Sequence, residues 1–204
     1  MVTVYTWGTP NGFKPLILLE ELEVDYRIAG VDIGADEQFT PAFLALNPNN
    51  KIPVLVDDEV PVTLFESAAI LQYLGEKFGR FLPIDTAGRF HTLQWVAFQV
   101  AGIGPMLGQA SHFRKNGRGM TYALDRFLGE AARLFGVLEQ QLGANEYLAG
   151  STYTIADMSM WPWMRKADEI ELRWEDYPHV RAWRERIGER PAVQRAMAID
   201  FQRV

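Results

Sequence analysis

A proline at the start of a β-branched run is the feature that most restricts how this chain can fold. Pro53 follows Lys51 and Ile52 and precedes the apolar residues 54–56. Because proline has no backbone N–H, it cannot donate to a sheet ladder, so it is expected at the first position of a strand or in a turn. We therefore predict a strand directly after Pro53. A cis Ile52–Pro53 bond would leave neighbouring backbone groups pointing into a cleft, where an extended peptide ligand can pair with them.

Two polar residues open the next predicted helix, which covers residues 68–78. Glu66 carries a carboxylate and Ser67 carries a hydroxyl group. The first N–H groups of a helix have no partner within it, and together with the positive end of the helix dipole they suit the carboxylate of a ligand. With the preceding proline-led strand, this pattern indicates a site for a small peptide acid.

A dense turn signal ends the first predicted strand. The turn signal is Gly8-Thr9-Pro10-Asn11-Gly12, which follows a β-prone run at residues 2–7. One interpretation is a strand-to-helix turn with an asparagine cap and no further role. The other is a ligand site, because this loop lies at the carboxyl end of the first strand, where open sheets bind their ligands.

The sequence resembles the glutathione transferases along its whole length. Lys51-Ile52-Pro53-Val54 is similar to the cis-proline segment of that family, and Glu66-Ser67 is similar to its γ-glutamyl recognition pair. Thr154-Ile155-Ala156-Asp157 resembles its capping box and hydrophobic staple at the start of a buried C-terminal helix. Thr9-Pro10-Asn11-Gly12 is similar to the Nu class of bacterial enzymes, which are described as glutathione-dependent disulfide-bond reductases.

The resemblance implies an α/β domain followed by an all-α domain. We expect a thioredoxin-like N-terminal domain of order βαβ-α-ββα over residues 1–79, a linker over 80–85 and a helical bundle over 86–204. The short boundary segment is expected to let the two domains pack on each other. The Gly-Pro cluster at residues 102–105 is expected to kink or break the helix that begins near residue 87.

The resemblance also implies which residues contact glutathione: Thr9, Asn11, Gln38, Lys51, Ile52, Pro53, Glu66, Ser67 and Arg133. Thr9 and Asn11 would be the catalytic pair that donates to the ligand sulfur, and Lys51 and Gln38 would lie at the glycyl carboxylate. Arg133 would reach the ligand of the neighbouring subunit in a homodimer. On the residues alone, Lys51 and Gln38 fit equally well as ordinary exposed side chains, and Arg133 fits as a charge on a solvated helix face.

The composition limits the chemistry. The chain has no cysteine, which excludes structural disulfides, Cys-ligated zinc and attack by a thiol of the protein itself. Any reacting sulfur must therefore arrive with the ligand. A free thiol is only about 3% ionised at pH 7, and lowering its pKa by two units, worth roughly 2.7 kcal/mol, makes it mostly thiolate. The three histidines are too far apart in sequence for a local metal motif, so we predict no metal.

The net charge and the hydropathy of the chain limit which partners it is expected to bind. A net charge of −6 argues against nucleic acid and anionic membranes, since both need a basic surface. No apolar run approaches the ~20 residues of a membrane span, and the N-terminus lacks the pattern of a secretory signal, so we expect a cytoplasmic protein.

Two classes of function remain. The first is an enzyme that uses glutathione to reduce a small disulfide, with peroxides or electrophiles as further substrates. The second is a non-catalytic ligand-binding or scaffold protein of the same family. The presence of Thr9, Asn11, Glu66 and Ser67 favours the enzyme, because a scaffold does not need them.

Overall fold

The computed structural model of the chain describes residues 1–202 and divides into two compact units. The first unit comprises Met1–Arg80 together with the described residues from Glu189 onward, and the second comprises Phe81–Gly188. The predicted second domain, 86–204, therefore differs at its C-terminal end, where residues 189–202 group with the first unit. Residues 203–204 lie outside the described residues.

The first unit is built on a mixed sheet with its connecting helices. In chain order its elements are β1 (Val2–Thr6), α1 (Pro10–Leu22), β2 (Tyr26–Gly30), α2 (Pro41–Leu46), β3 (Val54–Asp57), β4 (Val62–Phe65) and α3 (Ser67–Phe78). A 3₁₀ turn at Glu37–Phe39 precedes α2. This order confirms the predicted βαβ-α-ββα arrangement.

The sheet has the strand order β2-β1-β3-β4. β1 runs parallel to β2, whereas β3 is antiparallel to β1 and β4. Thr6 is in register with Gly30, Tyr5 with Val54, and Val54 with Phe65. The carboxyl ends of β1, β2 and β4 therefore meet the amino end of β3 at one end of the sheet, which we call the Val54 end.

Neighbouring side chains of β1 and β3 point to opposite faces of the sheet. Val4 and Leu55 are paired and fully buried. Tyr5 and Val54 point to the opposite face, where they pack with Phe43 of α2 in one apolar cluster.

The second unit is helical. It contains α4 (Thr86–Phe98), α5 (Gly104–Asn116), α6 (Thr121–Ala144), α7 (Ile155–Met160), α8 (Met164–Glu169) and α9 (Pro178–Gly188). A π-helical segment, Gln99–Ile103, joins α4 to α5. The predicted kink or break near the Gly-Pro cluster is thus a widened helical turn, because a proline in the first turn of α5 needs no N–H partner. None of the helices in residues 1–202 is long and apolar enough to cross a membrane.

The capping box predicted at Thr154 and Asp157 is present at the start of α7. The Asp157 carboxylate is fully buried and accepts hydrogen bonds from the backbone N–H groups of Thr154 and Leu148, each at 3.0 Å. It also accepts one from Trp183 Nε1 of α9 at 3.0 Å. One carboxylate therefore connects α7, α9 and the loop that precedes α7.

A C-terminal helix completes the first unit. α10 (Pro191–Met197) packs on α1. The Arg190 guanidinium binds both oxygens of Glu21 at 2.6 and 2.8 Å, and Arg195 Nε binds Glu20 at 2.6 Å. Beyond α10, the ring of Phe201 lies 5.6 Å from that of Trp7. The C-terminal residues of the described chain are thereby fixed to the N-terminal sheet unit.

Candidate functional site

Three segments singled out by the sequence meet at the Val54 end of the sheet. The β1–α1 loop leaves this end after Thr6, Ile52–Pro53 arrives there before β3, and Glu66–Ser67 follows β4. β1, β3 and β4 are neighbours in the sheet, and adjacent strands lie about 4.8 Å apart. The topology therefore brings the loop that contains Thr9, the Ile52–Pro53 segment and the Glu66–Ser67 pair to the same end of the sheet.

Thr9 is the N-cap of α1. Its Oγ1 accepts a hydrogen bond from the backbone N–H of Gly12 at 3.1 Å, and Pro10 is the first residue of the helix. Asn11, half-buried, is the second residue, so the cap is the threonine and not the asparagine considered from the sequence. A hydroxyl that accepts one bond keeps its own hydrogen to donate. Thr9 can therefore cap the helix and donate to a ligand at the same time.

Gly12 keeps this loop compact. A Cβ atom on Gly12 would lie 2.1 Å from the Trp7 carbonyl oxygen and 2.6 Å from Thr6 Oγ1. Thr6 Oγ1 also donates to the Gly12 carbonyl at 3.0 Å. A larger residue at position 12 would therefore clash with the loop that carries Thr9 and Asn11.

The proline segment is held by a residue that sequence reasoning missed. The Ile52–Pro53 bond is cis, as considered above. Asn47 is buried, and its Nδ2 donates to the Lys51 carbonyl at 2.6 Å while its Oδ1 accepts from the Asn49 N–H at 2.9 Å. The side chain of Lys51 is exposed. Asn47 thus fixes the turn that carries Lys51. The sequence signal for this role was the Asn-rich stretch that precedes Lys51.

Glu66 adopts an unusual backbone conformation. Its φ is 70° and its ψ is 112°, a region that favours glycine, and its side chain is exposed. Ser67 begins α3 and is buried, and no side chain of the described residues caps that helix. Because strained residues persist where the surrounding structure and the function require them, this geometry marks Glu66 as a candidate ligand contact.

A second residue that the sequence analysis missed is Lys14 of α1. It is fully buried, and its Nζ donates to Ser67 Oγ at 3.2 Å. Burial lowers the pKa of Lys14 to about 7, although the Glu66 carboxylate acts to raise it. The available signal was a single charge inside the apolar run of residues 13–19.

Gln38 lies in the 3₁₀ turn between β2 and α2. Its Nε2 contacts Asp36 Oδ1 at 3.4 Å. Its Oε1 is buried and has no hydrogen-bond partner among the described residues. Buried polar atoms are normally bonded, so this oxygen is available to a donor on a ligand.

Arg133 stands apart from the other predicted contacts because it belongs to the second unit. Its exposed guanidinium binds both carboxylate oxygens of Glu130, one turn earlier on α6, at 2.8 and 2.7 Å. This pairing fits the solvated helix face considered from the sequence. Within residues 1–202 there is also no group of three His, Cys, Asp or Glu side chains that suits a metal ion.

Comparisons with known proteins show which family this chain is similar to. The glutathione S-transferase N-terminal domain matches residues 1–76, and the glutathione S-transferase C-terminal domain matches residues 120–191. The disulfide-bond oxidoreductase YfcG of Escherichia coli (strain K12) is 45% identical over 203 residues, which cover 97% of this chain and 94% of the relative.

Two solved structures are similar over nearly the whole chain. A glutathione transferase family member from Pseudomonas fluorescens pf-5, with two glutathione bound, has a TM-score of 0.92 at 39% identity and covers 98% of this chain and 93% of its own. A glutathione transferase from Pseudomonas putida, with one glutathione disulfide bound per subunit, has a TM-score of 0.93 at 38% identity and covers 97% and 91%. This chain belongs to the glutathione transferase family.

Proposed function

We propose that this chain binds glutathione at the Val54 end of the sheet and uses it to reduce small disulfides. The observation that carries the proposal is the Thr9 hydroxyl, which caps α1 and retains a hydrogen to donate, in a chain that has no cysteine. The loop offers donors to a sulfur atom and no nucleophile of its own. The name of the relative YfcG and the glutathione disulfide in the Pseudomonas putida structure support the same chemistry.

In this proposal each part of glutathione has a matching segment of the chain. Glu66 and Ser67, with the uncapped N-terminus of α3, bind the γ-glutamyl ammonium and carboxylate groups. The backbone at Ile52, which precedes Pro53, pairs with the central cysteinyl residue. Lys51 and Gln38 bind at the glycyl carboxylate. Thr9 and Asn11 donate hydrogen bonds to the thiolate.

The reaction is a pair of thiol–disulfide exchanges. The thiolate of one glutathione attacks a sulfur of the substrate disulfide, so a mixed disulfide forms and the first substrate thiolate leaves. The thiolate of a second glutathione then attacks the glutathione sulfur of the mixed disulfide. This releases the second substrate thiol and glutathione disulfide, and the two electrons come from the two glutathiones. Peroxide reduction and conjugation with electrophiles are further predicted activities of the same thiolate.

Binding is tested by a thermal melt with reduced and oxidised glutathione. A ligand that binds only the native state stabilises it by about 2.7 kcal/mol at a hundredfold excess over Kd. We expect millimolar glutathione to raise the melting temperature of the wild type, and Glu66→Gln to weaken that rise. Glu175→Gln, which neutralises an exposed carboxylate of the second unit, is the control. A melting temperature that does not move with either ligand contradicts the proposed site.

Catalysis is tested by the reduction of a hydroxyalkyl disulfide. Hydrogen bonds to charged groups contribute roughly 1.5–3 kcal/mol each, so a Thr9→Ala/Asn11→Ala double variant is expected to lose about a hundredfold or more in turnover. Thr9→Ser keeps both the cap and the hydroxyl and is expected to stay active. An active double variant places the chemistry elsewhere, whereas an inactive wild type that binds glutathione favours the scaffold alternative.

A homodimer belongs to this proposal, because Arg133 reaches a ligand of the neighbouring subunit only if a second chain is present. An exposed ion pair such as Arg133–Glu130 contributes little to stability, so it can be exchanged for a ligand contact. Light scattering is expected to give twice the chain mass of 23.2 kDa at micromolar concentration. A monomer would remove Arg133 from the proposed site. A cytoplasmic location, where thiols stay reduced, fits the proposed chemistry.

A further inference from the structure

Lys14 is a fully buried, titratable side chain at the base of the proposed γ-glutamyl site. Lysine is almost never fully buried unless it is paired, because desolvation of an ammonium group is costly. Its Nζ lies 3.2 Å from Ser67 Oγ, the hydroxyl that begins α3. Lys14 therefore lies directly behind a residue that is proposed to contact the ligand.

The direction of this hydrogen bond determines what Ser67 can offer to a ligand. An ammonium group has three donors and no acceptor, so Ser67 Oγ must accept the bond. The hydroxyl hydrogen of Ser67 is then directed away from Lys14 and is free to bond to an anion. A neutral Lys14 amine has a lone pair, which can accept that same hydrogen and turn it inward. Protonated Lys14 thus makes Ser67 a donor toward the site.

We propose that Lys14 is a positioning residue of the glutathione site, whose ammonium group turns the Ser67 hydroxyl toward the γ-glutamyl carboxylate and adds the positive charge that this carboxylate needs. The inference rests on the proposed function. Carboxylate binding and protonation of Lys14 then favour each other, and by linkage the coupling is the same in both directions.

The Glu66 carboxylate is a charged group near Lys14, and its charge acts to raise the pKa of Lys14. On the same helix, Glu20 and Glu21 are paired with Arg195 and Arg190 of the C-terminal segment.

β1 and α3 also pack on α1, and the Glu76 carboxylate of α3 accepts a hydrogen bond from Gln72 Nε2 at 3.0 Å. β1 presents Thr6, whose hydroxyl donates to the Gly12 carbonyl. Further along α3, Lys77 is paired with Asp57 of β3 and with Glu59, and Asp57 also accepts a bond from Tyr73 at 2.6 Å. A ligand carboxylate at Ser67 would therefore be a new negative charge near Lys14.

The test measures the Kd of S-methylglutathione between pH 6 and pH 8, since its blocked thiol cannot titrate. Because the pKa of Lys14 in the free protein is about 7, the wild-type Kd is expected to rise about tenfold across this range. Lys14→Met is expected to bind more weakly at pH 6 and to show a flat profile. Lys115→Met removes an exposed lysine of the second unit and is expected to keep the wild-type profile.

A second ligand shows whether the effect of Lys14 depends on the γ-glutamyl carboxylate. An S-methylglutathione analogue with γ-aminobutyrate in place of the γ-glutamyl residue keeps the ammonium group and lacks the carboxylate. Its affinity is expected to be the same for the wild type and for Lys14→Met at every pH. A loss of affinity with this analogue on Lys14→Met would indicate a merely structural role and overturn the proposal.

The outcomes separate this inference from the proposed function. A wild type that binds S-methylglutathione with a flat profile, or a Lys14→Met variant that keeps the wild-type profile, overturns the role of Lys14 alone. A wild type that binds no glutathione derivative at any pH overturns the proposed function itself. If Lys14→Met does not fold, the test is a pH titration of Lys14 by ¹³Cε NMR in the lysine-labelled wild type. S-methylglutathione is expected to raise the midpoint of this titration, and an unchanged midpoint contradicts the proposal.

Discussion

Replacing Asp157 by alanine should destabilise the chain more than any surface change, because its carboxylate is the acceptor for three buried N–H donors. These are the backbone N–H groups of Leu148 and Thr154 and the Trp183 indole, each at 3.0 Å. A buried donor left without a partner costs roughly 1–3 kcal/mol. The expected loss is therefore roughly 3–9 kcal/mol, against a total stability that is typically about 5–15 kcal/mol.

Asp157→Asn is the matched variant, because it keeps the size of the side chain and one acceptor oxygen. Asp157 Oδ1 accepts from both Leu148 and Trp183, so an amide oxygen at that position retains two of the three bonds. Its NH₂ group then faces the Thr154 N–H, and the expected loss is about 1–3 kcal/mol.

The assay is urea unfolding followed by far-UV circular dichroism, in which a shift of the midpoint at constant slope reports stability. The expected order of midpoints is wild type, then Asp157→Asn, then Asp157→Ala. An alanine variant within about 1 kcal/mol of the wild type would show that these donors find other partners, and the reasoning from unsatisfied donors would be wrong.

Three further changes test the first unit. Glu66→Gly should relieve backbone strain, raising the free energy of unfolding by up to about 1–2 kcal/mol while the glutathione-induced shift in a thermal melt is lost. Phe201→Ala should lower the free energy of unfolding by about 1–2 kcal/mol through lost contact with Trp7, and Phe201→Leu should lose less, as measured by urea unfolding. Burial acts to raise the pKa of Asp57, but hydrogen bonds, first among them that from Lys77, hold it well below its usual range. The resulting stability is present above about pH 4 and falls as the pH drops further, so wild type should lose more of its urea midpoint between pH 5 and pH 3 than Asp57→Asn does.

Local signals were sufficient for the order of the elements and for the caps. Pro53 marks the start of β3, and the capping box at Thr154 marks the start of α7, because each depends on a few neighbouring residues. The cap of α1 was considered from the sequence to be an asparagine, but it is a threonine. Thr9 caps that helix and Pro10 is its first residue, a pairing that the known preference of proline for the first turn would have indicated.

Long-range pairing was not predictable in this way. Arg190 and Glu21 are 169 residues apart in sequence, and nothing in the local pattern of either distinguishes it from an exposed charge. The assignment of residues 189–202 to the first unit depends on such contacts. Lys14 had a local signal in the apolar run around it, but its contact with Ser67 depends on packing between α1 and α3, which the sequence does not show.

The two ends of β3 differ in how their polar groups are satisfied. At the Asp57 end, the buried carboxylate accepts bonds from Lys77 and Tyr73, an arrangement in which every charge has a local partner. At the Val54 end, Lys14 is fully buried and donates to Ser67 Oγ at 3.2 Å, the backbone of Glu66 is strained, and no side chain of the described residues caps α3. Each of these features lowers the stability of the folded chain by itself. Since features that break local rules are expected at functional sites, their concentration at one end of one sheet is an argument for ligand binding there that does not depend on the resemblance.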